Sequence, residues 1–118
     1  MPNTKTKYAK RNEKLAIDIR NFLEKHHIAE DTRIYFNNKA YDYDFKIGGF
    51  KVINDIDPTV YFEYANKDTV AVSFEGGLYE VLNYGVSPKI EQKFRDIFTK
   101  HNCYFEFGHA WNLSVYYD

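Results

Sequence analysis

A single cysteine, Cys103, in 118 residues removes any internal disulfide, and with it the small scaffolds that depend on such bridges. A lone thiol also favours a reducing compartment. No apolar run approaches the length of a membrane span. The opening Met1-Pro2-Asn3-Thr4-Lys5 has no apolar stretch behind it, so no signal peptide is expected and the chain reads as cytoplasmic. Paired metal-ligand spacings are missing as well, since neither C-x-x-C nor H-x-x-x-H occurs. Low-complexity tracts and dividing linkers are absent, so residues 1–118 are expected to form a single domain with 1–6 frayed.

Aromatic residues, by contrast, are plentiful, with 11 Tyr and 10 Phe. Tyrosine joins apolar area to a hydroxyl and suits surfaces that are only partly dry. The net charge of -1 selects no partner type, but its distribution is uneven. Residues 1–25 carry seven bases against three acids, whereas residues 30–86 carry five bases against ten acids. A basic front and an acidic middle therefore share one domain. Lysine outnumbers arginine twelve to four, and Asn, Ile and Tyr are frequent, a bias towards AT-rich codons.

Leu15, Ile19, Phe22 and Leu23 repeat at helical spacing, which predicts a helix over about Tyr8 to His26. Ile17 falls about 200° around that helix from Leu15, a candidate second contact. Arg33–Phe36 and Lys39–Lys46 flank Asn37-Asn38 and read as a hairpin. Phe50–Ile53 reads as a short strand, Val60–Ala65 and Thr69–Phe74 as a second hairpin, and Leu78–Leu82 as a strand after Gly76-Gly77. Ser87-Pro88 then opens a helix whose apolar face is Ile90, Phe94, Ile97, Phe98 and His101, with Asn102 closing it. Cys103–Phe107 and Ala110–Tyr117 form a last pair of strands. This order predicts an α+β fold, an antiparallel sheet of about five to seven strands with two amphipathic helices on one face.

Catalytic and metal-binding constellations are thin. Cys103 with His101 or His109 is the one thiol–base combination, but Cys103 is in phase with Phe105 and Phe107, as a core residue would be. His26, His27, His101 and His109 lie at positions that helix ends and turns explain equally well. Asp42 and Asp44 share a strand face, and Asp55 and Asp57 share a turn, which solvation accounts for. Gly76-Gly77 joins two β-patterned runs, so no phosphate loop is expected. No catalytic residue, metal or cofactor is assigned. Lys7, Arg11 and Lys14 align along the first helix as a candidate anion-binding stripe.

The outward parity of the strands is the most informative pattern. Tyr61, Glu63, Thr69 and Ser73, with Tyr104, Glu106, Asn112, Ser114 and Tyr116, would form a face of tyrosines and small polar groups. Such faces recognise other proteins through rigid aromatics and adaptable hydrogen bonds. The expected function is a non-catalytic protein-binding domain using Tyr61, Glu63, Tyr104, Glu106, Asn112 and Tyr116. Within that class, a small accessory or inhibitor protein of phage or mobile-element origin fits, directed at a host defence nuclease such as a CRISPR effector. A second copy of the chain is another candidate partner. A nucleic-acid binder using the basic first helix, and a small enzyme or metal protein around Cys103 and the histidines, are the alternatives.

Overall fold

The computed structural model describes residues 7–118, and the expectation for 1–6 lies outside the described residues. Among them the order is α1 (Ala9–Lys25), β1 (Thr32–Phe36), β2 (Lys39–Asp44), β3 (Gly49–Asn54), a one-turn 3-10 helix (Pro58–Val60), β4 (Val70–Phe74), α2 (Gly77–Tyr84), α3 (Pro88–Lys100), β5 (Cys103–His109) and β6 (Asn112–Tyr117). The strands make one antiparallel sheet in the order β3-β2-β1-β4-β6-β5. The helices pack on one face, so the α+β architecture is as the sequence predicts.

The main core lies between helices and sheet. Leu15, Ile19 and Leu23 of α1 meet Ile34, Phe36, Val70, Val72, Phe74, Leu113 and Val115 of the sheet. Leu78 of α2 and Phe94 and Phe98 of α3 complete it. Ile17 is not a free surface residue but half-buried against the same core, because α1 packs on both the sheet and α3 and therefore needs a wider apolar face. Asn12 is fully buried among these groups and fully engaged. Its Nδ2 donates to Asn37 Oδ1 (3.1 Å) and to the Asp68 carbonyl (3.0 Å), and its Oδ1 accepts from the Tyr117 hydroxyl (2.6 Å). A buried amide without those partners would be costly.

The local rules hold at most boundaries. Asn37 and Asn38 take φ of 51° and 62°, the left-handed pair that a two-residue hairpin turn needs. Ser87 caps α3 through its hydroxyl, which accepts from the Ile90 N–H at 3.3 Å. Asn102 leaves that helix at φ 56°.

Three segments depart from the sequence reading. Residues 60–65 are not a strand. Asp57 caps the Pro58 turn by accepting from the Thr59 N–H (2.8 Å), and Tyr64 sits at φ 65°, so no extended run can form. Leu78–Leu82 belongs to helix α2, which buries Leu78 and Val81 and stops at Gly85 (φ 62°). The β5–β6 turn falls at Ala110-Trp111 rather than at Gly108-His109, because the register slips by one residue between Phe107 and His109.

Phe94 and Phe98 are buried in the main core, where their rings meet edge-on at 5.1 Å. Phe94→Ala or Phe98→Ala is expected to cost about 3–5 kcal/mol, the range for removing a buried aromatic. Chemical denaturation of each variant checks this. A midpoint equal to that of the wild type would contradict the placement of α3.

Candidate recognition surface

The face of the sheet away from the helices is not open. The chain between β3 and β4 crosses it and buries a second cluster, in which Ile56 and Phe62 pack on Tyr35, Ala40 and Ala71. Side chains of the sheet and of the segment itself anchor the crossing. The Ser114 hydroxyl accepts from the Asn66 N–H (3.0 Å) and donates to the Tyr64 carbonyl (3.3 Å). The Asn66 amide and the Thr69 hydroxyl both donate to the Val115 carbonyl. Ser114, expected on a wet face, is therefore buried beneath the crossing, and Thr69, expected there too, is buried at the end of the crossing itself. Phe62 and Trp111 pack on this face rather than in the main core.

The six residues expected to meet a partner separate accordingly. Tyr61 is 54% and Tyr104 47% exposed, and Tyr104 stacks on half-buried Tyr116 at 5.7 Å. Glu63 and Glu106 are exposed, and Glu63 Oε1 lies 4.0 Å from His109 Nε2. Asn112 does not belong to this surface. It is 1% exposed beneath Gly108, where an added Cβ would come within 2.4 Å of its Oδ1, and that oxygen accepts from the His109 N–H. Tyr64, 72% exposed beside His109, is a further surface aromatic.

At the Arg33–Ser73–Asn112 row of the sheet the crossing leaves a cleft of about 410 Å³. Its lining includes Arg33, Tyr35, Asp42, Tyr61, Ser73 and Trp111, with Asp31 and Glu75 among the remainder. Arg33 is fixed from several sides. Its Nε donates to Asp42 Oδ1 (3.1 Å) and its Nη1 to the Tyr35 hydroxyl (3.4 Å), while the Tyr61 ring lies 5.4 Å away. Burial alone would lower its pKa, but the bonds to Asp42 and Tyr35 outweigh burial and hold it above the ordinary guanidinium value. Asp42, read from the sequence as a solvated strand acid, is instead committed to Arg33. The cleft itself depends on a crossing that no local pattern announces.

The basic stripe loses its centre. Arg11 donates to the carbonyl of His101 (3.0 Å) at the end of α3 and stacks 3.9 Å from the Tyr117 ring centroid, so it acts as a tertiary cap. Lys7 and Lys14 remain exposed on either side. Gly76-Gly77 does stand between a strand and a helix, contrary to expectation. The Gly77 N–H donates to Glu30 Oε1 at 2.7 Å, so the chain's own carboxylate takes the place that a phosphate would need.

The thiol and imidazoles are dispersed. Cys103 is buried, and burial pushes its pKa up to about 11, opposite to what a nucleophile needs. His101 Nε2 pairs with Asp18 Oδ2 at 2.7 Å, and His26 lies 4.4 Å from the Phe22 ring. Burial lowers the His26 pKa, with Lys25 and Lys93 adding to the effect. Among the described residues no three His, Cys, Asp or Glu side chains gather to hold a metal ion. No helix among them is long and apolar enough to cross a membrane.

Cys103 in the native protein is expected to react with a thiol reagent far more slowly than in the unfolded chain, and Cys103→Ser is expected to keep full binding. Burial also raises the Tyr117 pKa to about 12. Both groups hold protons that the unfolded chain releases at lower pH. Their contribution to stability is complete below about pH 9 and is lost as pH rises through the folded values. Urea midpoints measured from pH 7 to 11 in wild type and Cys103→Ser check the sign, and a midpoint that rises with pH would contradict it.

No family model, curated protein or solved structure matches this chain.

Proposed function

We propose that this domain is a non-catalytic binding module for another protein and that it binds through the crossed face of the sheet. The observation that carries the reading is the concentration of exposed tyrosine there. Tyr61, Tyr64 and Tyr104 keep 54%, 72% and 47% of their surface in solvent, and Tyr61 borders a cleft walled by Trp111 and Tyr35. Stiff aromatic side chains bury large areas at small entropic loss, which is why they dominate the energy of protein interfaces. Tyr104 and Tyr116 are held in advance by their mutual stack, and the backbone bonds around Ser114 fix the loop that carries Tyr64. Glu63 and Glu106 then stand as acids at the rim.

Within this class the favoured role is a small inhibitor or accessory protein, of phage or mobile-element origin, that acts on a host defence nuclease. Its support is the excess of acids over residues 30–86, ten against five bases, which complements the basic surfaces by which nucleases hold their substrates.

The test is capture of a partner from host lysate, followed by affinity and melting measurements on variants. Tyr61→Ala, Tyr104→Ala and Tyr116→Ala are each expected to lose about 2 kcal/mol of binding or more with little change in melting temperature. Glu63→Lys and Glu106→Lys are expected to slow association and flatten its salt dependence. Full affinity in all five folded variants would place recognition elsewhere. Salt-dependent capture of nucleic acid in place of a protein would favour the exposed Lys7 and Lys14 side.

A further inference from the structure

The cleft beside Tyr61 carries more acid than it needs. Its lining holds three carboxylates, Asp31, Asp42 and Glu75, against one guanidinium, that of Arg33. Asp42 is committed to Arg33 at 3.1 Å. Asp31 and Glu75 are exposed, and among the described residues neither has an ion-pair partner. They are held side by side, because the Glu75 N–H donates to the Asp31 carbonyl at 3.0 Å. Aromatic rings share the lining: the Tyr61 ring lies 6.1 Å from that of Tyr35, and the Trp111 indole is fixed edge-on to Phe62 at 5.7 Å. Arg33 shows what these rings accommodate, since it already lies over both Tyr35 (5.7 Å) and Tyr61 (5.4 Å).

From these observations we infer that the cleft is a receptor for a single cationic side chain, the guanidinium or ammonium of an arginine or lysine on the partner protein. Unpaired carboxylates at the mouth draw the charge in, and aromatic faces hold it by cation–π attraction. The balance of charge argues against an anion, because the one cation in the cleft is already neutralised by Asp42. The inference deepens the binding-module reading by naming the chemistry of the partner's anchor. It can fail on its own if recognition rests only on the exposed tyrosines.

Trp111 is the only tryptophan in the chain, so its indole N–H gives one isolated signal within the cleft. The intact protein is titrated with N-acetyl-arginine methylamide and with N-acetyl-lysine methylamide, and the Trp111 resonance is followed by nitrogen–proton correlation spectra. Saturable shifts are expected on the order of millimolar to tens of millimolar, as befits one side chain without a partner surface. N-acetyl-norleucine methylamide and N-acetyl-glutamate methylamide are expected to leave the signal in place. Asp31→Asn with Glu75→Gln is expected to weaken the cation about fivefold for each charge removed, the upper end for solvent-exposed pairs. Glu13→Gln with Glu80→Gln removes the same charge from α1 and α2 and is expected to change nothing. Equal response to the neutral analogue, a stronger response to the acidic one, or no saturation with either cation would overturn the inference. Loss of partner binding in Tyr104→Ala with the Trp111 titration intact separates the two surfaces.

Discussion

A sheet with all its α-helices on one side must still shield its other face, and here the shield is a segment without a strand ladder of its own. Residues 55–69 cross that face because β3 ends at one edge of the sheet while β4 lies on the far side of β1. Such a crossing brings unpaired backbone groups close to an apolar surface, where each lost hydrogen bond costs about 1–3 kcal/mol. Ser114, Asn66 and Thr69 answer that need, with hydroxyls and an amide bonding where strand partners are missing. Phe62 and Ile56 then supply the apolar contact. The position of Tyr61, the exposure of Tyr64 and the walls of the cleft all follow from where this segment is fixed.

The two faces differ in their aromatic residues, although Tyr41, Tyr43, Tyr79 and Tyr117 also pack on the helix side. Phenylalanine fills the helix side, where Phe74, Phe94 and Phe98 are almost wholly buried. On the crossed face, tyrosine and the tryptophan prevail, and their polar ends can stay hydrated while their rings pack. Charge is divided too. Arg33 and Asp42 pair across neighbouring strands, Asp44 pairs with Lys51 at 3.2 Å, and the Asp44 carboxyl is held below its usual range by the Lys46 N–H and by Lys51. The Arg33–Asp42 pair joins β1 to β2 and the Asp44–Lys51 pair joins β2 to the edge strand β3, while Asp31 and Glu75 have no ion pair among the described residues.

Much of the architecture was legible because local signals agreed with one another. The Ser87-Pro88 start of α3, the Asn37-Asn38 turn and the periodicity of α1 each combine a backbone requirement with an apolar pattern. The errors fell where composition suggested strands and backbone geometry disallowed them. Val60, Tyr61, Phe62 and Tyr64 suit a strand, yet Pro58 starts a 3-10 turn and Tyr64 is left-handed, so tertiary packing prevailed over propensity. Leu78, Val81 and Leu82 already had helical spacing, and Gly85 marked the stop, but an eight-residue helix is short enough to pass for a strand. The face away from the helices was half visible: parity placed Tyr104, Glu106 and Tyr116 on it, and it misplaced Asn112, which the irregular β5–β6 hairpin buries beneath Gly108.

The position of β4 has a consequence for how the chain folds. β1, β2 and β3 form a meander and β5 with β6 a hairpin, so each group closes on residues near it in sequence. β4 alone joins them, pairing Val72 with Ile34 on one side and with Leu113 on the other, each separated from it by roughly forty residues. Closing loops of that length costs conformational entropy before the contacts repay it. The five residues of β4 are thus the seam between two locally formed halves, and they carry the long-range order of the sheet. Slow amide exchange centred on β4, with earlier exchange in both hairpins, is the signature such a seam leaves.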